Sequence, residues 1–354
     1  MTSSPSELVA DPLFQLNSLL WMAQHLPAQS AIRPVLKDLG FEIYALSPPL
    51  SVPLDLRLKA SEVGVTVQDS VRPDIVFHKP DERKFAFVEC KGNSFSPSSS
   101  TASQMRSQLL TTGDRAGEAI GGSGQDVSQS VLTVATADSS VAQMGITVTT
   151  LKEELASKGF FPSAFNQVGF VPYPERIALR FESTAREFYG VHTDEVELLR
   201  VSENTDPRPL YFIPYDPDLG GVPEAIEFNR RVLFERILAT IVAAVGRAPL
   251  PSTPLVVNMR DLLNDSMFGL FSKWENKDSG RHLVGLCRNF VRLCFNSGHL
   301  APTPASWSNG ECLVTIPDVH ERERIIDGLS HLNTERMGRN VRQDTWSQQD
   351  IEQY

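Results

Sequence analysis

Apolar and polar positions along the first 160 residues fall into blocks of helical and strand period. Residues 13–25 carry apolar side chains at helical spacing, and 31–39 predict a second short helix that Gly40 stops. Residues 41–46 alternate as a strand, Pro48, Pro49 and Pro53 make a loop, and 54–63 suit a helix. Three strand candidates follow at 65–67, 74–77 and 84–89, the last two joined by the turn chemistry of Pro80-Asp81-Glu82-Arg83. The serine-rich stretch 94–103 reads as a loop, 104–120 as a helix ended by Gly121, Gly122 and Gly124, and 130–136 as a buried strand. A further strand is expected at 146–149 and a closing helix at 151–157, capped by Gly159. This order predicts an α/β unit around one mixed sheet.

Beyond residue 160 the pattern changes. Residues 159–221 are rich in proline and aromatics, with strands expected at 177–181 and 210–213 and no module assigned. A long helix is predicted over 223–246, with Phe228, Val232, Ile237, Ile241 and Val245 on its apolar side. Short helices then precede two strands joined by Ser308-Asn309-Gly310, and a final helix starts near Val319. Helices followed by such a hairpin have the winged-helix order. The expected divisions are 1–158, 159–221, 222–333 and a polar tail, 334–354.

Composition narrows the class. The chain is 41% hydrophobic over 354 residues, ordinary for a globular protein of two or three domains. No run of about eighteen apolar residues and no signal peptide is read, so the expectation is a soluble, cytoplasmic protein. Cys90, Cys287, Cys294 and Cys312 lack CxxC spacing and read as reduced thiols without a zinc site. The formal net charge of -10 weighs mildly against a nucleic-acid binder, although local patches decide that question.

One stretch carries chemistry. In "RPDIVFHKPDERKFAFVECKGNS", Asp74 opens one predicted strand and Glu89, after fourteen intervening residues, ends the next. An antiparallel hairpin brings those two ends together. Glu89 and Lys91 share parity and leave one face, whereas the Cys90 thiol points to the opposite, buried face as packing. Converging carboxylates repel unless a cation lies between them, and Mg2+ accepts such oxygens, with the main-chain carbonyl of Cys90 as a third. Lys91 is placed to orient or deprotonate a water, or to stabilise charge on the phosphorane. The plain alternative is an ion pair of Glu89 with Lys91 or Arg72 on a solvated strand edge.

Pro73-Asp74 and Glu89-Cys90-Lys91 in a strand–turn–strand setting resemble the PD-(D/E)XK, or restriction-endonuclease-like, nuclease superfamily. The order that follows is similar to its type IV restriction-endonuclease branch. The resemblance covers roughly residues 30–158. It implies α/β architecture with an αβββαβ core, followed here by the mainly helical, winged-helix-like domain. It also implies Mg2+ as cofactor, with Mn2+ able to substitute, Asp74 and Glu89 as metal ligands, and Lys91 as catalytic lysine. A glutamine on the next helix is common in several branches, and Gln104 or Gln108 would supply it. The expected activity is DNA endonuclease, RNA not being excluded, in prokaryotic restriction or antiviral defence, as a homo-oligomer or a subunit of a defence complex. The alternative is a nuclease-like fold that serves nucleic-acid binding or assembly without catalysis.

Secondary features keep two readings each. Arg281, Arg288 and Arg292 form one stripe on a predicted helix over 280–296, opposite Leu283, Leu286, Phe290 and Leu293; the stripe suits DNA backbone contact or is a solvated face. The serine-rich loop is a flap that orders on nucleic acid, or a simple loop. His78 reads as a strand-end surface residue.

Overall fold

The computed structural model describes residues 4–25, 32–113, 115–120, 127–200, 206–219, 223–250, 254–308 and 310–334. The chain forms two compact units, Met1–Phe212 with Lys273–Asn276, and Ile213–Ser272 with Lys277–Tyr354.

The first unit is mixed α/β. Its elements begin with helices α1 (Pro5–Val9), α2 (Pro12–Ala23) and α3 (Val35–Asp38), strands β1 (Glu42–Leu46) and β2 (Leu50–Ser51), and helix α4 (Leu54–Glu62). Strands β3 (Ser70–Val71), β4 (Ile75–Lys79) and β5 (Lys84–Lys91) precede helices α5 (Ser100–Thr111) and α6 (Ala116–Ala119). Strand β6 (Gln129–Ala137), helix α7 (Asp138–Ser157), strands β7 (Phe165–Pro172) and β8 (Arg176–Phe181), helix α8 (Ser183–Tyr189) and strand β9 (Glu195–Arg200) complete it. Seven strands make one sheet in the order β1-β4-β5-β6-β7-β8-β9. The central pairs β5–β6 and β6–β7 are parallel and the flanking pairs antiparallel.

Strand parity decides which side chains enter which layer. Phe85 and Phe87 of β5 and Leu132 and Val134 of β6 pack with Met105 and Leu109 of α5 and Met144, Val148 and Leu151 of α7. The opposite face is covered by α2, whose Phe14 meets Phe170 of β7 edge-on at 6.1 Å. Enclosed on both faces, β5 and β6 read as near-continuous apolar runs.

Several expectations change. Residues 146–149 are not a strand: they lie inside α7, whose buried Met144, Thr147, Val148, Leu151 and Leu155 follow helical spacing. The tertiary packing of that face outweighs the local β preference of Ile146-Thr147-Val148-Thr149. Residues 65–67 are not in a strand, and the short strand there is β3, paired with β2. The helix after the serine-rich loop starts at Ser100, four residues early, because the Ser99 hydroxyl accepts from the Ala102 N–H as an N-cap. It breaks after Thr111 before the four-residue α6. Residues 208–210 form a 3-10 turn rather than entering a strand over 210–213. Strands β7, β8 and β9, all from the region left unassigned in sequence, extend the same sheet as the β4–β5 hairpin. The predicted glycine stop at 121–124, Asn309 and the tail beyond 334 lie outside the described residues.

The second unit contains α9 (Pro223–Arg247), β10 (Leu255–Val257), α10 (Met259–Ser266), α11 (Lys277–Phe295), the hairpin strands β11 (Ala305–Ser308) and β12 (Glu311–Val314), and α12 (Val319–Ser330). Its small sheet has the order β10-β12-β11. Phe234 of α9 and Phe290 of α11 stack face to face at 4.3 Å in its core. Among the described residues no helix is long and apolar enough to cross a membrane.

Candidate active site

The β4–β5 hairpin places Asp74, Glu89 and Lys91 at one end of the sheet. A single 3-10 turn, Pro80–Glu82, joins the strands, and Arg83 takes a left-handed conformation with φ 50° to close it. The register sets Ile75 opposite Val88, so Asp74 stands just outside β4, beside the end of β5. The Asp74 N–H donates to the Val88 carbonyl at 2.9 Å, and its carboxylate Oδ2 accepts from the Cys90 N–H at 2.6 Å. Asp74 therefore supplies by side chain the acceptor that β4, which starts only at Ile75, does not. The N–H and C=O of one strand residue point to the same edge, so the Cys90 carbonyl also faces the Asp74 side.

Glu89 is only 2% exposed. The Glu89–Lys91 ion pair of the plain alternative is therefore present, but buried and not on a solvated strand edge. A buried carboxylate needs hydrogen-bond donors, and three side chains provide them. Gln104 Nε2 donates to Oε1 at 2.9 Å, Gln108 Nε2 to Oε2 at 2.6 Å, and Lys91 Nζ lies 2.5 Å from Oε1. Either glutamine was eligible on sequence grounds; both engage, because they are one turn apart on the face of α5 that looks at β5.

Lys91, the last residue of β5, is mostly covered. Burial alone would lower its pKa, but the charges of Glu89 and Asp74 outweigh burial and hold the ammonium above its ordinary range. That sign fixes a pH dependence. The folded pKa exceeds the unfolded one, so the stabilisation is complete below the unfolded value near 10.5 and is lost as pH rises through the folded value. Denaturant melts between pH 9 and about 12 should show wild-type stability falling more steeply than that of Lys91→Met.

Cys90 packs on the opposite face. Burial, then the nearby charges of Asp74 and Glu89, push its thiol well above the usual range. It is inert as a nucleophile.

The backbone at the end of β5 is pinned by a residue the sequence reading did not single out. Gln15 of α2 donates from Nε2 to the Val9 carbonyl at 2.8 Å and to the Lys91 carbonyl at 3.2 Å. The signal was available: Gln15, Asn17 and Ser18 are polar within an otherwise apolar helix, and all three are fully buried. Gly92 continues the approach, since a Cβ there would lie 2.4 Å from the Ala10 carbonyl oxygen. On the α5–α7 face a polar row leads away from Lys91 across the sheet: Thr136 of β6, Gly169 of β7, Arg180 of β8 and Glu195 of β9 are successive partners. Arg180 chelates Asp138, the first residue of α7, at 2.8 and 2.9 Å and holds Glu195 at 2.7 Å.

The three arginines of the basic stripe lie in the second unit, on α11. Arg281 is exposed and tied to Asp278 at 2.8 Å, Arg288 is half-buried, and Arg292 lies over the Trp307 ring of β11 at 5.0 Å. Leu283, Leu286 and Phe290 are buried as expected, and Leu293 is half-buried. His78 stacks on Phe85 at 4.2 Å instead of standing free at the strand end. The serine-rich loop is tied down by Arg106, which donates to the Pro97 carbonyl at 3.0 Å.

Among the described residues no group of three or more His, Cys, Asp or Glu side chains is placed to hold a metal ion. The set at the hairpin end is smaller, two carboxylates with one main-chain carbonyl. No protein-family model matches the chain, and no curated protein or solved structure matches it significantly.

Proposed function

We propose that the chain is a Mg2+-dependent nuclease of the PD-(D/E)XK type that hydrolyses phosphodiester bonds in DNA. The observation that carries this reading is the buried Glu89 carboxylate. It is held by Gln104, Gln108 and Lys91 beside Asp74, at the end of a strand otherwise given to core packing. Such an expensive arrangement in an apolar strand suits a site more than a scaffold.

The donor set fits a hard divalent ion. Asp74, Glu89 and the Cys90 carbonyl offer only oxygen, and Mg2+ commonly takes one or two carboxylates and completes its shell with water and substrate. Among the described residues Glu89 Oε2 accepts a single hydrogen bond, from Gln108, and so keeps a lone pair for a cation. Bound there, Mg2+ would supply Lewis-acid polarisation of the phosphate and make a water nucleophilic at neutral pH. The chain's own residues do the rest. Gln104 and Gln108 fix the Glu89 rotamer with neutral donors, leaving its charge intact. Lys91, held protonated, acts as a cation that stabilises charge building on the phosphorane rather than as a base.

The order α9, β10, α10, α11, β11, β12, with β12 between β10 and β11, supports a winged-helix reading of the second unit. On that reading α11 is the helix offered to the duplex, and Arg292, stacked on Trp307 of the hairpin, is its best-placed phosphate contact.

A second reading is a nuclease-like fold that binds nucleic acid or serves assembly without cleaving. What favours it is that the described residues hold no group of three or more His, Cys, Asp or Glu side chains placed for a metal ion. Titration calorimetry separates the two. The nuclease reading expects Mg2+ or Mn2+ binding by the wild-type chain and its loss in Glu89→Ala; silence from both, with DNA binding retained, selects the scaffold.

A further inference from the structure

Thr136, near the end of β6, is one of several buried residues of this unit, with Ser18 and Asn166, whose side-chain polar atoms lack a partner among the described residues. It is fully buried, and its Oγ1 has no hydrogen-bond partner among the described residues. Other buried threonines of this unit are satisfied: Thr111, Thr112 and Thr147 donate to carbonyls within their helices, and Thr133 pairs with the Tyr189 hydroxyl at 2.8 Å. Leaving a buried hydroxyl unpaired is unfavourable, so a second arrangement that satisfies it is worth seeking.

Register and parity identify its neighbour. Thr136 is the ladder partner of Lys91 and shares its face, the face on which Leu132 and Val134 pack under α5 and α7. On the far side is Gly169, which has no side chain to offer; a Cβ there would already lie 2.9 Å from Asp138 Oδ1. Asp138 is itself committed to Arg180. Lys91 is thus the adjacent long, flexible donor in the row. Adjacent strands lie about 4.8 Å apart, well within the sweep of a lysine side chain. Its ammonium carries three protons and meets Glu89 with one side.

We propose that the Thr136 hydroxyl is a second seat for the Lys91 ammonium, so that Lys91 alternates between Glu89 and Thr136. Seated on Thr136, the ammonium leaves Glu89 Oε1 with Gln104 as its donor and one lone pair released, and stands over the ends of β5 and β6. Thr136 is then a positioning residue for the catalytic lysine; its kinetic consequence rests on the nuclease reading, while the seat itself does not.

Two measurements test this. The first uses the metal-free Glu89→Met variant, which removes the competing acceptor and keeps side-chain length. Its crystal structure should show Lys91 Nζ about 2.8–3.0 Å from Thr136 Oγ1. Nζ directed into solvent or onto the Asp74 carboxylate, with Thr136 still unpartnered, overturns the proposal. The second compares Thr136→Val, which keeps shape and strand preference, with Thr136→Ser, which keeps the hydroxyl. Val should lower kcat about tenfold with KM and calorimetric Mg2+ affinity unchanged, and Ser should stay within about twofold of wild type. Equal damage by Val and Ser, or none by Val, overturns it. A wild-type chain that cleaves nothing defeats the nuclease reading alone, and the Glu89→Met structure still decides the seat.

Discussion

If the chain is the nuclease proposed, replacing Lys91 with methionine should lower the rate of DNA cleavage by about a thousandfold or more. Methionine keeps the apolar stem that threads the half-covered end of β5 and deletes only the ammonium. On that reading the loss should fall on kcat rather than KM, the ammonium being assigned to charge that builds up on the phosphorane. The variant remains folded but weaker. Glu89, 2% exposed, loses its cation while retaining the Gln104 and Gln108 donors. Breaking a buried pair from one side costs about 3–5 kcal/mol, and the two remaining donors bring that toward the lower end. Steady-state kinetics beside a denaturant melt separate the two effects. Lys91→Arg does not rescue, since a planar guanidinium cannot reproduce a compact charge at that spot. Undiminished cleavage by Lys91→Met would remove Lys91 from the site.

The largest effect on stability is expected in the second unit. Phe290 is fully buried and stacks on Phe234 at 4.3 Å with the rings 4° apart, clamping α11 against α9. Phe290→Ala removes the ring and leaves a cavity between two helices that cannot both close on it, at a cost of about 3–5 kcal/mol. Phe290→Leu refills most of the volume and should cost about 1–1.5 kcal/mol. Amide exchange read separately in α9 and α11 should rise together in the alanine variant. Protection as in wild type would show that the stack is not what holds these helices together.

The candidate site was more legible than the fold around it. Asp74, Glu89 and Lys91 could be brought together from period-two alternation, one short turn and parity, because a hairpin is a local object with few registers. The glutamines were legible as a pair one turn apart. Thr136 was not: its importance comes from β6 lying parallel to β5 across a long crossover, and no local pattern sets that register. The same limit explains the errors in the fold. The β-branched run 146–149 has strand character in isolation, and only the packing of Met144, Val148 and Leu151 against the sheet makes it helical. Strand β7 was missed because the buried polar pair Asn166 and Gln167 interrupts its apolar run, and edge strand β9 because Glu195 and Glu197 give it the mixed polarity of a partly covered sheet margin. The burial of Glu89 was half visible. Phe85-Ala86-Phe87-Val88 announced a core strand, but only the structure shows α5 closing over its end.

The central claim is that Asp74, Glu89 and Lys91 cleave phosphodiester bonds with a divalent ion. It is tested most directly by incubating the purified chain with single- and double-stranded DNA, in Mg2+ and in EDTA, beside Asp74→Ala. Products from the wild-type chain in Mg2+, absent in EDTA and absent from the folded variant, are the predicted result. Intact DNA in every lane, or equal cleavage by wild type and Asp74→Ala, would contradict it.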